Sequence, residues 1–164
     1  MKLARNLAFA LIMAAMPFLA RADDAGDAEA RRIATRFVQL AGSEDNALAL
    51  VLALRHGVAV QLVQDVEPAA LPLTVTLDPP TGAMPWNDVR IALLHAQDLL
   101  LHAGYTRPDV DQLQAALTGG EIVAASGHPE AFRGVLNMRA EGMTWVDIAR
   151  ATAPANTSPA FLSR

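Results

Sequence analysis

The chain has 164 residues, with 13 basic and 17 acidic side chains and no cysteine, so its net charge is −4. The acidic balance disfavours nucleic acid and anionic lipid as partners, because both are bound through basic stripes. The lack of cysteine excludes a disulfide framework, a thiol nucleophile, a thiolate-ligated zinc site and an acylated lipoprotein anchor.

The N-terminal 22 residues have the pattern of a cleaved export signal. Lys2 and Arg5 precede an apolar stretch from Leu7 to Leu19, and Ala20-Arg21-Ala22 gives the small-x-small pattern that signal peptidase recognises. This apolar stretch is shorter than the roughly 20 residues that span a bilayer. We therefore expect a periplasmic or secreted protein that begins at Asp23 and has no membrane span after cleavage. It would carry 10 basic and 17 acidic residues, a net charge of −7.

Residues 23–152 are predicted to form a single globular domain, and 153–164 a flexible, proline-bearing tail. Asp23–Ala30 is polar and acidic and is expected to be a loose leader, followed by a short helix from Glu29 to near Gly42. The next helix has the clearest boundaries. Ser43 is a suitable N-cap, acidic residues follow in the first turn, and Gly57 is a natural left-handed stop.

Two strands are predicted next, Val58–Val63 and Leu71–Leu77. The second alternates apolar residues with Pro72 and threonines, and together they indicate a small hairpin with a wide loop. The rest of the chain reads as four short helices, at about 86–103, 108–117, 129–140 and 145–152. The predicted fold class is mainly α with a minor β-hairpin (α+β), a compact domain of about six short helices.

A short motif, Met-x-Trp-x-Asp followed by Val or Ile, occurs twice, starting at Met84 and at Met143. Both tryptophans of the chain, Trp86 and Trp145, lie in it, each at a predicted helix start. The simpler interpretation is that each indole docks a helix entrance onto the core. The core is expected to combine both indoles with the following residues: Leu50, Leu54, Leu73 and Val75. The alternative is that Trp86 and Trp145 form a binding surface for a glycan or a peptide.

Four segments carry a resemblance to a known group of proteins: Phe37–Gly57, "PPTGAMPWNDVRIALLHAQ", "QLQAALTGG" and "GVLNMRAEGMTWVDIA". Together they resemble a group of small, exported, uncharacterised Gram-negative bacterial proteins with repeated Gly-Met-x-Trp motifs. The usual Gly-Met-Gly-Trp-Gly pattern is altered here, because other residues replace the glycines that flank each tryptophan. The resemblance implies export and a compact mixed fold, and it implies no activity.

One helix face carries the strongest candidate for a metal site. Asp88, His95, Asp98 and His102 fall on one stripe of the helix at 86–103, and imidazole and carboxylate are common metal ligands. His95 and His102 are roughly 10.5 Å apart along the axis, too far to chelate one ion together. A site would therefore combine Asp98 with one of these two histidines and with a ligand from elsewhere, such as His56; the candidate set is His95, Asp98 and His56. The stripe reads more simply as a solvated face.

The sequence gives little support for a serine nucleophile or for a nucleotide-binding site. Ser126-Gly127-His128 lacks the Gly-x-Ser-x-Gly elbow of a nucleophilic serine, and no phosphate-binding glycine loop or dinucleotide fingerprint occurs. We therefore expect no catalytic residues and no cofactor. The predicted function is that of an exported, non-enzymatic structural or interaction protein, whose partner is an envelope protein or cell-wall glycan. The alternative is an envelope hydrolase, metal-assisted through His95, Asp98 and His56.

Overall fold

A computed structural model describes residues 16–64, 72–123 and 127–153, with side chains from residue 25 onward. Within these ranges the chain forms seven helices and two antiparallel strand pairs, so the predicted α+β class is confirmed. The elements, in chain order, are α1 (Met16–Arg36), α2 (Val38–Ala41), α3 (Glu44–His56), β1 (Val60–Gln64), β2 (Leu73–Leu77), α4 (Trp86–His102), α5 (Val110–Thr118), β3 (Gly120–Val123), β4 (Pro129–Phe132), α6 (Val135–Ala140) and α7 (Trp145–Thr152).

Helix α3 has the boundaries that its sequence predicts. The hydroxyl of Ser43 accepts a hydrogen bond from the backbone N–H of Asn46, and Gly57 ends the helix in the left-handed conformation at φ 67°. A side chain at Gly57 would also collide with the backbone, because its Cβ would overlap the backbone nitrogen of Ala83. This close approach brings the end of α3 against the segment that leads into α4.

Two expectations for the chain's helices are wrong. Asp23–Ala30 is not a loose leader, because it lies inside α1, which continues to Arg36. Alanine is the best helix former, so the alanines among these acidic residues favour the helix. The predicted helix at 129–140 is helical only from Val135, because Pro129–Phe132 forms strand β4 and pairs with β3. The chain therefore has a second hairpin that the sequence did not indicate.

The first hairpin pairs β1 with β2, with Val60 opposite Leu77 and Gln64 opposite Leu73. The buried side chain of Asn46 attaches it to α3. Its amide nitrogen donates to the carbonyls of Ala41 and Val63 at 2.9 and 2.8 Å, and its oxygen accepts from the N–H of Val63 at 3.0 Å. On the other strand, the amide of Gln114 in α5 donates to the carbonyl of Thr76. Helices thus hold both strands of this hairpin in place.

One apolar core contains residues from all seven helices and from β1 and β2. Leu50, Leu54 and Val75 are buried in it as expected, whereas Leu73 and both tryptophans are half-buried and pack against it. A smaller cluster of Ala115, Ile122 and Phe132 lies beneath the second hairpin. None of the helices in the described ranges is long and apolar enough to cross a membrane.

Candidate functional site: the arginine clamps and the Trp86 groove

The two tryptophan motifs adopt the same arrangement around an arginine. In each case the arginine lies in the last turn of the preceding helix, where the helix dipole favours a cation. Arg55 lies in the last turn of α3 and next to Trp86, whereas Arg139 lies in the last turn of α6 and next to Trp145. We call these groups the first clamp (Arg55, Met84 and Trp86) and the second clamp (Arg139, Met143 and Trp145).

The contacts of the first clamp fix the start of α4 against the end of α3. The N–H of Met84 donates to the carbonyl of Leu54 at 3.1 Å, and this carbonyl lies in the last turn of α3. The guanidinium of Arg55 donates to the carbonyl of Met84 at 3.0 Å, and its Cζ lies 5.2 Å from the ring centroid of Trp86. This distance is within the range of a cation–π interaction.

The second clamp repeats these contacts with nearly equal distances. The N–H of Met143 donates to the carbonyl of Met138 at 3.1 Å. Arg139 donates to the carbonyl of Met143 at 2.9 Å, and its Cζ lies 5.0 Å from the centroid of Trp145. The repeat seen in the sequence is therefore a repeat of three-dimensional structure, although a hairpin separates the two helices only in the first clamp.

The surroundings of the two tryptophans differ. The ring of Trp145 also stacks on His95, with centroids 5.9 Å apart and an interplanar angle of 25°. The indole N–H of Trp145 is buried and has no hydrogen-bond partner among the described residues. Trp86, in contrast, borders an open groove of about 610 Å³. The two indoles therefore have different neighbours, a histidine ring at Trp145 and an open groove at Trp86.

We call this space the Trp86 groove and define it by the residues that line it, Asp27, Glu29, Leu52, Arg55, His56 and Trp86. Its acidic side comes from α1, and its basic side from the end of α3. Glu29 accepts a hydrogen bond from Arg32 at 2.7 Å, which lowers the pKa of the Glu29 carboxyl. The volume lies within the about 300–1,000 Å³ that is typical of small-molecule sites.

The candidate metal ligands are divided between different surroundings. His95 is half-buried against Trp145, and burial lowers the pKa of its imidazole while the nearby Asp98 opposes that shift. Asp98 is exposed, and His56 lies in the Trp86 groove. Across the described ranges, no group of three or more histidine, aspartate or glutamate side chains is placed to hold a metal ion. Ser126 lies outside the described residues.

No protein-family model matches this chain, and no curated protein or solved structure is significantly similar to it. The resemblance to the exported Gram-negative group stays a prediction. The candidate site therefore depends on the geometry of the clamps and the groove.

Sequence reasoning selected both tryptophans but missed their arginine partners. Arg55 and Arg139 each precede the last residue of a helix, and each helix leads to a Met-x-Trp motif. That shared placement is the signal that could have found the clamps. Arg55 and Trp86 lie 31 positions apart in the sequence, so no local pattern connects them.

Proposed function

We propose that this chain is an exported, non-enzymatic binding module of the bacterial envelope, and that it binds its partner in the Trp86 groove. The observation that supports the proposal is the groove itself, since it combines an aromatic edge, charged groups of both signs and a volume suited to a ligand. The acidic charge of the chain fits a partner other than nucleic acid.

The alternative of a metal-assisted envelope hydrolase has less support. It requires a third ligand to join His95 and Asp98, and the described residues contain no such assembled group. His95 is instead engaged with the ring of Trp145. A binding role needs none of these groups to act as an acid, a base or a ligand.

Two measurements on cells that express the full sequence test the proposal. N-terminal sequencing should give Asp23 on protein from the periplasm or the medium, whereas an intact Met1 on cytoplasmic protein would contradict export. A photo-crosslinking residue at Leu52, in the groove, should capture an envelope component that the same residue at exposed Val146 does not capture. Turnover of a cell-wall substrate by the purified protein would favour the hydrolase.

A further inference from the structure

We propose that the Trp86 groove binds a short zwitterionic peptide, with the peptide carboxylate on Arg55 and the peptide amine on Asp27. The inference rests on the proposed function and names the chemistry of the ligand. It follows from three features of the groove: the separation of its charged sides, the unpaired state of two charged groups, and the coverage of the indole ring.

The two sides of the groove carry opposite charges that do not neutralise each other. Asp27 and Glu29 come from α1, whereas Arg55 comes from α3. Across the described parts of the chain, no ion pair within 4.0 Å joins the acidic side to the basic side. A ligand that carries both a cation and an anion can bridge the two sides, and a ligand with one charge can satisfy only one of them.

The state of Arg55 points to a carboxylate as the anionic group of the ligand. The corresponding arginine of the second clamp, Arg139, lies 4.0 Å from the carboxylate of Asp88. Arg55 has no such partner in the ranges that the structure describes, although a carbonyl and an indole hold its guanidinium in place. A guanidinium fixed in this way presents a planar set of donors that matches a carboxylate.

On the acidic side, Asp27 is the carboxylate left for an amine. Glu29 is already bound to Arg32 at 2.7 Å. Asp27 is exposed and forms no ion pair with any described residue. An ammonium group in the groove can therefore pair with Asp27 without displacing an existing contact.

The coverage of Trp86 argues for a peptide over a sugar. A sugar ring would stack on an open indole face, but this indole packs against the core and has the guanidinium of Arg55 over its ring. Leu52 and the half-buried Trp86 line the groove and give it apolar surface for a small aliphatic side chain. The lining of the groove thus contains one partner for each of three groups of a dipeptide: its carboxylate, its amine and an aliphatic side chain.

The test uses the dipeptide alanyl-leucine and two matched analogues, one N-acetylated and one with a C-terminal amide. Binding is followed by NMR through the indole N–H signals of purified protein. The free dipeptide should shift the Trp86 signal saturably and leave the buried Trp145 signal in place. Each capped analogue should bind at least about tenfold more weakly, because each lacks one charged contact. Equal binding of all three peptides, or no shift of Trp86, would overturn the inference.

Three variants assign the contacts. Asp27→Asn changes an exposed side chain, so the fold should persist. This substitution should lower the affinity for the free dipeptide about tenfold, whereas the affinity for the N-acetylated analogue should equal that of the wild type. Arg55→Gln should weaken binding of both carboxylate-bearing peptides at least about tenfold, whereas the matched Arg139→Gln should leave their binding unchanged. Unchanged binding to Asp27→Asn, or equal losses for both arginine variants, would contradict the assignment.

A chitooligosaccharide serves as the competing probe. If it shifts the Trp86 signal and the dipeptide does not, the ligand class is wrong while the groove remains a binding site. If neither probe binds but crosslinking at Leu52 captures an envelope component, the peptide inference fails and the proposed binding function stands. If no component is captured and the protein turns over a cell-wall substrate, the proposed function itself fails.

Discussion

The guanidinium of Arg139 lies 4.0 Å from the carboxylate of Asp88, and this pair connects the second tryptophan motif to the first. Asp88 belongs to the first motif and lies in the first turn of α4, whereas Arg139 lies over the ring of the second tryptophan. The two repeated units are thus joined by a charged contact that only one of the two clamp arginines makes.

The Asp88–Arg139 pair should contribute little to stability, because both side chains are partly exposed to solvent. A double-mutant cycle with Asp88→Ala and Arg139→Ala should give a coupling free energy of about 0.5 kcal/mol. The coupling should fall at about 1 M salt, where charges are screened over roughly 3 Å. Urea unfolding of the four proteins measures it. A coupling above about 2 kcal/mol, unaffected by salt, would show that solvent does not reach the pair.

Trp145 is the second position with a clear expectation. Trp145→Ala should reduce the free energy of unfolding by about 3 kcal/mol, because the indole packs on the core and contacts His95 and Arg139. Trp145→Phe should be much less harmful. It keeps an aromatic ring and removes a buried N–H that has no partner among the described residues, a group that destabilises a fold by about 1–3 kcal/mol. Equal losses for the two variants would contradict this account.

His95 should make stability depend on pH. Burial lowers the pKa of its imidazole below the usual 6.5, so the fold favours the neutral ring. The stability that this provides is fully present above the unfolded-state pKa and is lost as the pH falls through the folded-state pKa. The nearby Asp98 favours a positively charged ring and therefore opposes part of this pKa shift.

The measurement is the urea midpoint at about pH 7.5 and about pH 5, on either side of the ordinary histidine pKa. The wild type should lose more stability on acidification than His95→Gln does. The exposed His102, on the same helix, provides the matched control, since His102→Gln should behave like the wild type. If acidification lowered the urea midpoint of His95→Gln more than that of the wild type, the predicted pH dependence would have the wrong sign.

Asn46 is the buried polar residue whose loss should be most damaging. Asn46→Ala removes three hydrogen bonds and leaves the backbone N–H of Val63 and the carbonyl of Ala41 without their side-chain partner. The free energy of unfolding should fall by about 2 kcal/mol, because the Ala41 carbonyl loses a buried hydrogen bond and the backbone groups of Val63 lose part-buried ones. Asn87→Ala is the control. The exposed amide oxygen of Asn87 accepts a hydrogen bond from Arg90, and its loss should change the free energy of unfolding by less than about 0.5 kcal/mol. If Asn46→Ala lowered the free energy of unfolding by as little as the control, the hairpin would not depend on the hydrogen bonds of Asn46.

Local signals in the sequence predicted much of the fold. Ser43 and Gly57 marked both ends of α3, and the helix predicted at about 86–103 corresponds to α4. At the start of α7, the hydroxyl of Thr144 accepts a hydrogen bond from the backbone N–H of Asp147 and donates one to its carboxylate, which lowers the pKa of that carboxyl. Each of these features depends on residues a few positions apart in the chain, so it can be predicted from a single sequence.

The missed features depend on contacts between distant segments. Pro129 resembled a helix start, but a proline is equally suited to the first position of an edge strand, and pairing with β3 decides between the two. The Trp86 groove forms only where α1, α3 and α4 pack together. No local sequence pattern predicts which helices pack against one another. The tryptophans were found from their motif, whereas the charged groups around Trp86 became neighbours only on folding.

The attachment of the first hairpin to its helices also limits how copies of this chain can associate. The side chain of Asn46 forms hydrogen bonds with the outward-facing N–H and C=O of Val63 on β1. The side chain of Gln114 donates a hydrogen bond to the carbonyl of Thr76 on β2. A second chain that added a strand at either edge would first have to displace one of these amides. Exposed strand edges are where sheets recruit further chains and begin to aggregate. In this hairpin, helix side chains protect those edges against such recruitment.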